Sequence, residues 1–164
     1  MTKKGLRMTD KGDLTMARIL IADDSTVMRR SLRLILSKAG HTVVGQATDG
    51  ISVCQMYNQL KPDLVTMDIT MPGMNGIEAM LKILESDPHA KIIMITAIDQ
   101  KRMILDAIES GARHYIIKPF KEDKVLYTVN EVLKQDWSIK YLWFKNTATL
   151  FEYQNGCIVS SNID

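Results

Sequence analysis

"DLVTMDITMPGMNGIEAMLKIL", Asp63 to Leu84, carries a strand signal, a tight turn and a helix signal in one stretch. The run Asp63–Met67 is short and nearly continuous in apolar residues at its centre. Such runs suit strands covered on both faces, as in parallel sheets. It stops at a lone carboxylate, Asp68, and a Pro–Gly pair (Pro72, Gly73) and an Asn–Gly pair (Asn75, Gly76) follow, both turn signals. Asn75 with Glu78 three residues on has the spacing of a capping box. Ile77, Met80, Leu81 and Leu84 then share one helix face.

The same unit recurs outward in both directions. "RILIA" (Arg18–Ala22), "TVVGQA" (Thr42–Ala47), "KIIMIT" (Lys91–Thr96) and "HYIIK" (His114–Lys118) read as four more strands. Between and after them, apolar residues fall at helical spacing: Met28, Leu32, Ile35, Ala39; Val53, Met56, Tyr57, Leu60; Ile104, Ala107, Ile108; and Val125, Val129, Val132, Leu133. Gly40 and Gly111 follow helix ends, where a positive φ is cheap for glycine. Five alternations of strand and helix predict right-handed βαβ units and an α/β doubly wound, five-stranded parallel sheet.

The regular pattern defines a domain over residues 16–135. Residues 1–15 precede it without periodicity and read as an N-terminal extension, disordered or vector-derived; Met16, opening "MARILIADD", is a natural start. Residues 136–164 form a C-terminal extension of a different kind. In "TLFEYQNGCIVSS", Asn155–Gly156 separates two strand-like runs, the signal of a β-hairpin. Trp137, Tyr141, Trp143 and Phe144 come just before it, an aromatic surface that calls for cover by the domain, a second copy or a partner.

Composition excludes several classes. The net charge of +2 is too small for a nucleic-acid binder that relies on a broad basic field. No apolar run approaches the ~20 residues of a membrane span, and the first residues lack the apolar core of a signal peptide. Cys54 and Cys157 are far apart and show no metal-ligand spacing, so reduced, buried thiols in the cytosol are expected. His41, His89 and His114 do not cluster in sequence and read as ordinary residues.

Open α/β sheets place their sites at the carboxyl ends of the strands. There the reading gathers Asp23 and Asp24 after the first strand, Asp68 after the third, Thr96 on the fourth, and Lys118 before Pro119 on the fifth. Crowded hard oxygen ligands suit Mg²⁺. An aspartate beside that cation can attack phosphorus, with a lysine and a hydroxyl opposite to take the phosphoryl oxygens. Each residue has a plainer role when taken alone: Asp24 or Ser25 as a helix cap, Asp68 as a turn residue, Lys118 as a surface charge, Thr96 as an ordinary strand residue. Their joint fall on one sheet edge is what argues for a site.

"ADDS" at 22–25, "MDITMPGMNG" at 67–76, "TA" at 96–97 and "YIIKP" at 115–119 resemble the receiver domain of bacterial two-component response regulators, of the CheY type. The resemblance spans about 120 of the 164 residues. It implies the flavodoxin-like strand order 2-1-3-4-5, which belongs to that family as its known property. It also implies that Asp68 is the phosphoacceptor, and that Asp24, Asp68 and the Thr70 backbone carbonyl hold Mg²⁺, with Asp23 acting through water. Lys118 would contact the phosphoryl group, with a cis bond to Pro119. Thr96 would be the switch hydroxyl, with room left by Ala97, and Tyr115 the aromatic side chain that follows it. Thr70 and Ile98 would tune phosphate lifetime.

The function implied is a single-domain response regulator in chemotaxis-type signalling, cytoplasmic, and not a turnover enzyme. A histidine kinase would donate the phosphoryl group, and a flagellar switch or phosphotransfer protein would receive the signal. Neither nucleic acid nor membrane is expected as a partner; a dimer is one reading of the C-terminal extension, and a disordered or vector-derived, idle tail is the other. A phosphorelay shuttle is the alternative reading. An aspartate-nucleophile phosphatase fits less well, because "DIT" at 68–70 lacks the second acid of D-x-D. A DNA-binding regulator would need an output module, and the 29 residues after 135 are too few for a usual one.

Overall fold

The computed structural model describes residues 16–97, 101–134, 139–144, 147–154 and 157–162. Residues 1–15, Ile98 and the Asn155–Gly156 pair therefore lie outside the described residues. Five strands, β1 (Arg18–Ala22), β2 (Thr42–Ala47), β3 (Leu64–Asp68), β4 (Ile92–Ala97) and β5 (His114–Lys118), form one sheet in the order β2-β1-β3-β4-β5. All four pairings are parallel. Five helices connect and follow them: α1 (Thr26–Lys38), α2 (Gly50–Leu60), α3 (Gly76–Ser86), α4 (Lys101–Glu109) and α5 (Glu122–Lys134).

Burial explains why the strands read as continuous apolar runs. Leu20, Val65, Met67, Ile92 and Met94 pack on one face with Val53 and Tyr57 of α2, Met80 and Ile83 of α3 and Ala107 of α4. The alternate residues Ile19, Ile21, Leu64, Ile93 and Ile95 are equally buried on the other face. The buried stripes of α1 (Leu32, Leu36) and α5 (Val125, Val129, Val132) belong to that side. Each such side chain contributes about 1.5–3 kcal/mol by leaving water, so covering both faces is what holds the sheet.

Local chemistry sets the boundaries. Ser25 caps α1, its side chain accepting from the Met28 N–H at 3.3 Å. At α3 the capping box is complete: Asn75 accepts from Glu78 N–H, and Glu78 accepts from Asn75 N–H, both at 3.0 Å. Gly40 and Gly111 adopt φ of 89° and 120° after α1 and α4, as their positions after helix ends predict. The third and fourth strands sit one residue later than their apolar runs, because Asp68 still pairs with Ile95 and Ala97 with Lys118.

The C-terminal part is a separate compact unit, divided from the first between Leu133 and Lys134. It holds three antiparallel strands, β6 (Ile139–Phe144), β7 (Thr147–Gln154) and β8 (Cys157–Asn162), in sequence order. The hairpin expectation is thus enlarged. β7 and β8 flank Asn155–Gly156, and "IKYLWF" adds a third strand that the reading took only as aromatic surface.

Candidate functional site

The strand order reverses between β1 and β3, and the crevice at that point opens at the carboxyl ends of the strands. There Asp23, Asp24 and Asp68 each offer a carboxylate oxygen, all within 4.8 Å of one another. Asp23 is 1% exposed and Asp68 6%, whereas Asp24 is exposed. Asp23 is held from three sides. Its backbone N–H donates to Ala47 O at 3.1 Å, Oδ1 accepts from Ser25 N–H at 2.8 Å, and Oδ2 accepts from Lys118 Nζ at 2.8 Å.

Lys118, last residue of β5, reaches both buried acids, standing 3.3 Å from Asp68 Oδ2. Burial pushes the Asp68 carboxyl above the usual carboxylate range; Lys118 opposes that, Asp23 adds to it, and the Thr70 backbone N–H opposes it weakly. Burial alone would lower the Lys118 ammonium, but Asp23 and then Asp68 hold it above its ordinary value. Three carboxylates therefore gather where one ammonium pairs with two of them. Two of them are buried and one open to solvent, which suits a hard divalent cation that keeps some of its water. The residues present fit Mg²⁺ by donor type and by this imbalance of charge.

The remaining expected residues that the structure describes lie on β4, on β5 and just past β3. Thr96 lies on β4 with 0% exposure. Thr70, two residues past Asp68, is exposed. The Lys118–Pro119 peptide is cis. Tyr115 is 36% exposed, and its backbone N–H donates to His114 Nδ1 at 2.9 Å. Beside it a groove of about 470 Å³ runs over β5 and the start of α5, lined by Ile117, Phe120, Lys121 and Lys124 among others. Ile98 falls outside the described residues.

Sequence reading missed two contributors. Arg29, on α1, donates from Nη1 to the Asp23 and Asp24 carbonyls at 2.9 and 3.1 Å, bracing the loop that carries both acids. Its signal was available: an arginine one helical turn after the cap can fold back onto the carbonyls just before the cap. Gly50 is the second, and nothing local marks it. Cys54 is half-buried rather than buried, with Sγ 3.6 Å from Ala79 O.

A parallel five-stranded sheet with three acids and a lysine at its switch point defines a class of signalling domain. The chain belongs to the response regulator receiver domain family, whose pattern it matches over residues 19–130. Among its relatives, the chemotaxis protein CheY of Thermotoga maritima is 49% identical over 117 residues, 71% of this chain and 98% of that protein. CheY of Bacillus subtilis is 47% identical over 116 residues, 71% of this chain and 97% of that one. Among solved structures, the CheX–CheY–BeF3–Mg²⁺ complex of Borrelia burgdorferi superposes with a TM-score of 0.69 at 35% identity, covering 72% of this chain and 90% of that one. The chain is thus a receiver of the CheY type, of the two-component signalling class. No helix among the described residues is long and apolar enough to cross a membrane.

Proposed function

We propose that this protein is a cytoplasmic response regulator whose receiver domain takes a phosphoryl group onto Asp68 from a histidine kinase in a Mg²⁺-dependent reaction. The observation that carries this reading is the meeting of Asp23, Asp24 and Asp68 within 4.8 Å, with Lys118 bonded to two of them. Asp24, Asp68 and the Thr70 carbonyl would hold the cation directly, and Asp23 through water. When bound, Mg²⁺ supplies neutralisation of the phosphoryl oxygens.

The chain's own residues do the rest. An Asp68 carboxylate oxygen attacks phosphorus of the phosphohistidine. A P–O bond forms, the P–N bond breaks, and the leaving imidazole takes a proton from water. Lys118 moves its ammonium from the Asp68 carboxylate to the transferred group, holding it by a charge-assisted bond. Thr96 donates its hydroxyl to the same group, and Tyr115 turns inward from its exposed position. This shifts a two-state population and alters the face around the groove on β5 and α5. The output is a protein target in chemotaxis-type signalling, a flagellar switch or a phosphotransfer protein; a phosphorelay shuttle uses the same chemistry with a different receiver of the signal. Thr70 and Ile98 would tune phosphate lifetime, as the receiver resemblance implies. Beyond its own phosphorylation and dephosphorylation the protein turns over no substrate.

The second unit ends in two edge strands, β6 and β8. Sheet edges pair readily with further strands, which supports a dimer formed through this extension. Removing residues 137–164 is expected to lower the mass measured by light scattering from that of two chains to that of one shortened chain; a fall no larger than the removed residues account for removes that element alone.

Incubation with acetyl phosphate and Mg²⁺ followed by intact-mass measurement tests the main reading. The wild type should gain one phosphoryl group, and Asp68→Asn should gain none. A gain retained in Asp68→Asn, or sustained hydrolysis of a generic phosphomonoester, would refute it.

A further inference from the structure

Two glycines pin the loop between β3 and α3, and one of them comes from another helix. The loop spans residues 69–75 and carries the Thr70 carbonyl just past Asp68. At its far end Gly76 donates its N–H to Ile69 O at 2.8 Å. A Cβ at Gly76 would stand 1.9 Å from the Asp68 carbonyl oxygen, so α3 starts against the end of β3. From the other side Gly50, the first residue of α2, donates its N–H to Met74 O at 3.1 Å. A Cβ there would meet that oxygen at 2.4 Å and the Met74 Cγ and Cβ at 2.7 and 2.8 Å.

Gly50 does not have the left-handed backbone that usually demands glycine; its φ is unremarkable and closeness of approach is the reason for it. Its N–H is one of the first-turn donors that a helix leaves without an internal partner. The N-cap, Asp49, serves a different first-turn donor, accepting from Ser52 N–H at 2.9 Å and also from Ser52 Oγ at 2.6 Å. The loop carbonyl at Met74 is thus the partner of the Gly50 N–H. Between the two glycine clamps, Ile69 and Met71 are buried at 0% and 6%, and the Asn75–Glu78 box closes the far end. The path of Thr70 is therefore set by its neighbours on both sides.

We propose that Gly50 is a positioning residue for the metal-dependent chemistry of Asp68. Its bond to Met74, and the absence of a side chain on it, hold the β3–α3 loop where the Thr70 carbonyl can join Asp24 and Asp68. The assignment rests on the receiver chemistry proposed above. An alanine at position 50 forces the loop away from α2 and misplaces that carbonyl relative to the acids, leaving the acids themselves intact.

The test is a calorimetric Mg²⁺ titration of the full chain as wild type, Gly50→Ala and Gly45→Ala, with the rate of phosphoryl uptake from acetyl phosphate measured at saturating Mg²⁺. Gly45 is the control: it lies on β2, and a Cβ there meets only side-chain ends, Leu60 Cδ1 at 3.0 Å and Leu20 Cδ1 at 3.1 Å being nearest. Losing a residue that orients metal ligands typically weakens metal binding by about 10–100-fold, so Gly50→Ala is expected to bind Mg²⁺ about tenfold more weakly and Gly45→Ala like the wild type. Wild-type affinity in Gly50→Ala, or equal weakening in both variants, would overturn the assignment while leaving the receiver chemistry in place. A wild type that binds no Mg²⁺ overturns both. If Gly50→Ala does not fold, the wild-type amide spectrum decides. The Gly50 N–H resonance should move on addition of Mg²⁺ while that of Gly45 stays; a stationary Gly50 resonance removes the proposal.

Discussion

The two ends of one sheet solve the problem of polar groups in opposite ways. At the amino ends of the strands, charge is spent on structure. Arg18 donates from Nη1 to Lys61 O and from Nη2 to Leu60 O at 2.9 and 2.8 Å, and its backbone N–H donates to Asp63 Oδ2 at 2.7 Å. Tyr57 donates to Asp87 at 2.7 Å, Arg113 Nε to Ala90 O at 3.3 Å, and Lys91 to Leu133 O at 3.2 Å. At the carboxyl ends, three carboxylates meet, two of them share one lysine, and burial pushes Asp68 upward. One end is compensated within the chain; the other is left to be compensated by a bound cation. The difference teaches that stability and chemistry are allotted to opposite ends of the same strands.

Substitutions at the two ends should therefore separate. The largest effect is expected from Gly76→Ala, whose Cβ would overlap the Asp68 carbonyl oxygen. Overpacking against backbone should cost about 3 kcal/mol, read as a fall in urea midpoint, and phosphoryl uptake should disappear with it. Tyr57→Phe breaks the other end. It removes the hydrogen bond to Asp87 and should cost about 1–2 kcal/mol, while the rate of phosphoryl uptake stays within about twofold of wild type. A slowed uptake in Tyr57→Phe would break the comparison.

Asp68→Asn should run the other way and stabilise the Mg²⁺-free protein. Because burial raises this carboxyl in the fold, the folded protein keeps a proton that the unfolded chain has released. Stability then falls as pH rises from the ordinary value of 3.8 to the raised one, and stays lower above it. Removing the charge should raise the melting temperature at neutral pH by about 2–4 °C per kcal/mol relieved. The smallest effect belongs to His41, at the amino end. Its Nδ1 accepts from Ala17 N–H at 3.3 Å, its Nε2 is buried without a partner, and burial lowers its pKa. The unfolded chain takes up a proton below the ordinary value of 6.5 that the fold refuses, so stability should decline as pH drops below it. One proton limits this slope to about 1.4 kcal/mol per pH unit, and His41→Leu should flatten it.

Much of this division was legible in the sequence, for physical reasons. Strands buried on both faces must be apolar throughout, so β1, β3 and β4 announced themselves as runs, and the acids stood out where the runs stopped. Asn75–Glu78 and Gly40 were legible because caps and positive φ are local matters. Gly50 was not, since its partner is a carbonyl group, which leaves no mark in the side-chain sequence; Arg29, one turn past the cap, could have been read and was missed. Gly50 meets its partner across more than twenty residues of chain. His41 looked ordinary because its burial depends on packing beside Ala17. β6 was overlooked because "IKYLWF" lacks the clean alternation of polar and apolar residues that marks a half-buried strand.

The central claim, that the carboxyl end awaits a divalent cation, is tested most directly by following melting temperature against Mg²⁺ concentration. A cation that binds only the fold stabilises it by RT ln(1 + [L]/Kd), so the wild type should melt higher with each addition of Mg²⁺. Tyr57→Phe should rise in parallel from a lower start, and Asp24→Asn should stay nearly flat. A flat wild type, or an Asp24→Asn that climbs as steeply as the wild type, would contradict the account.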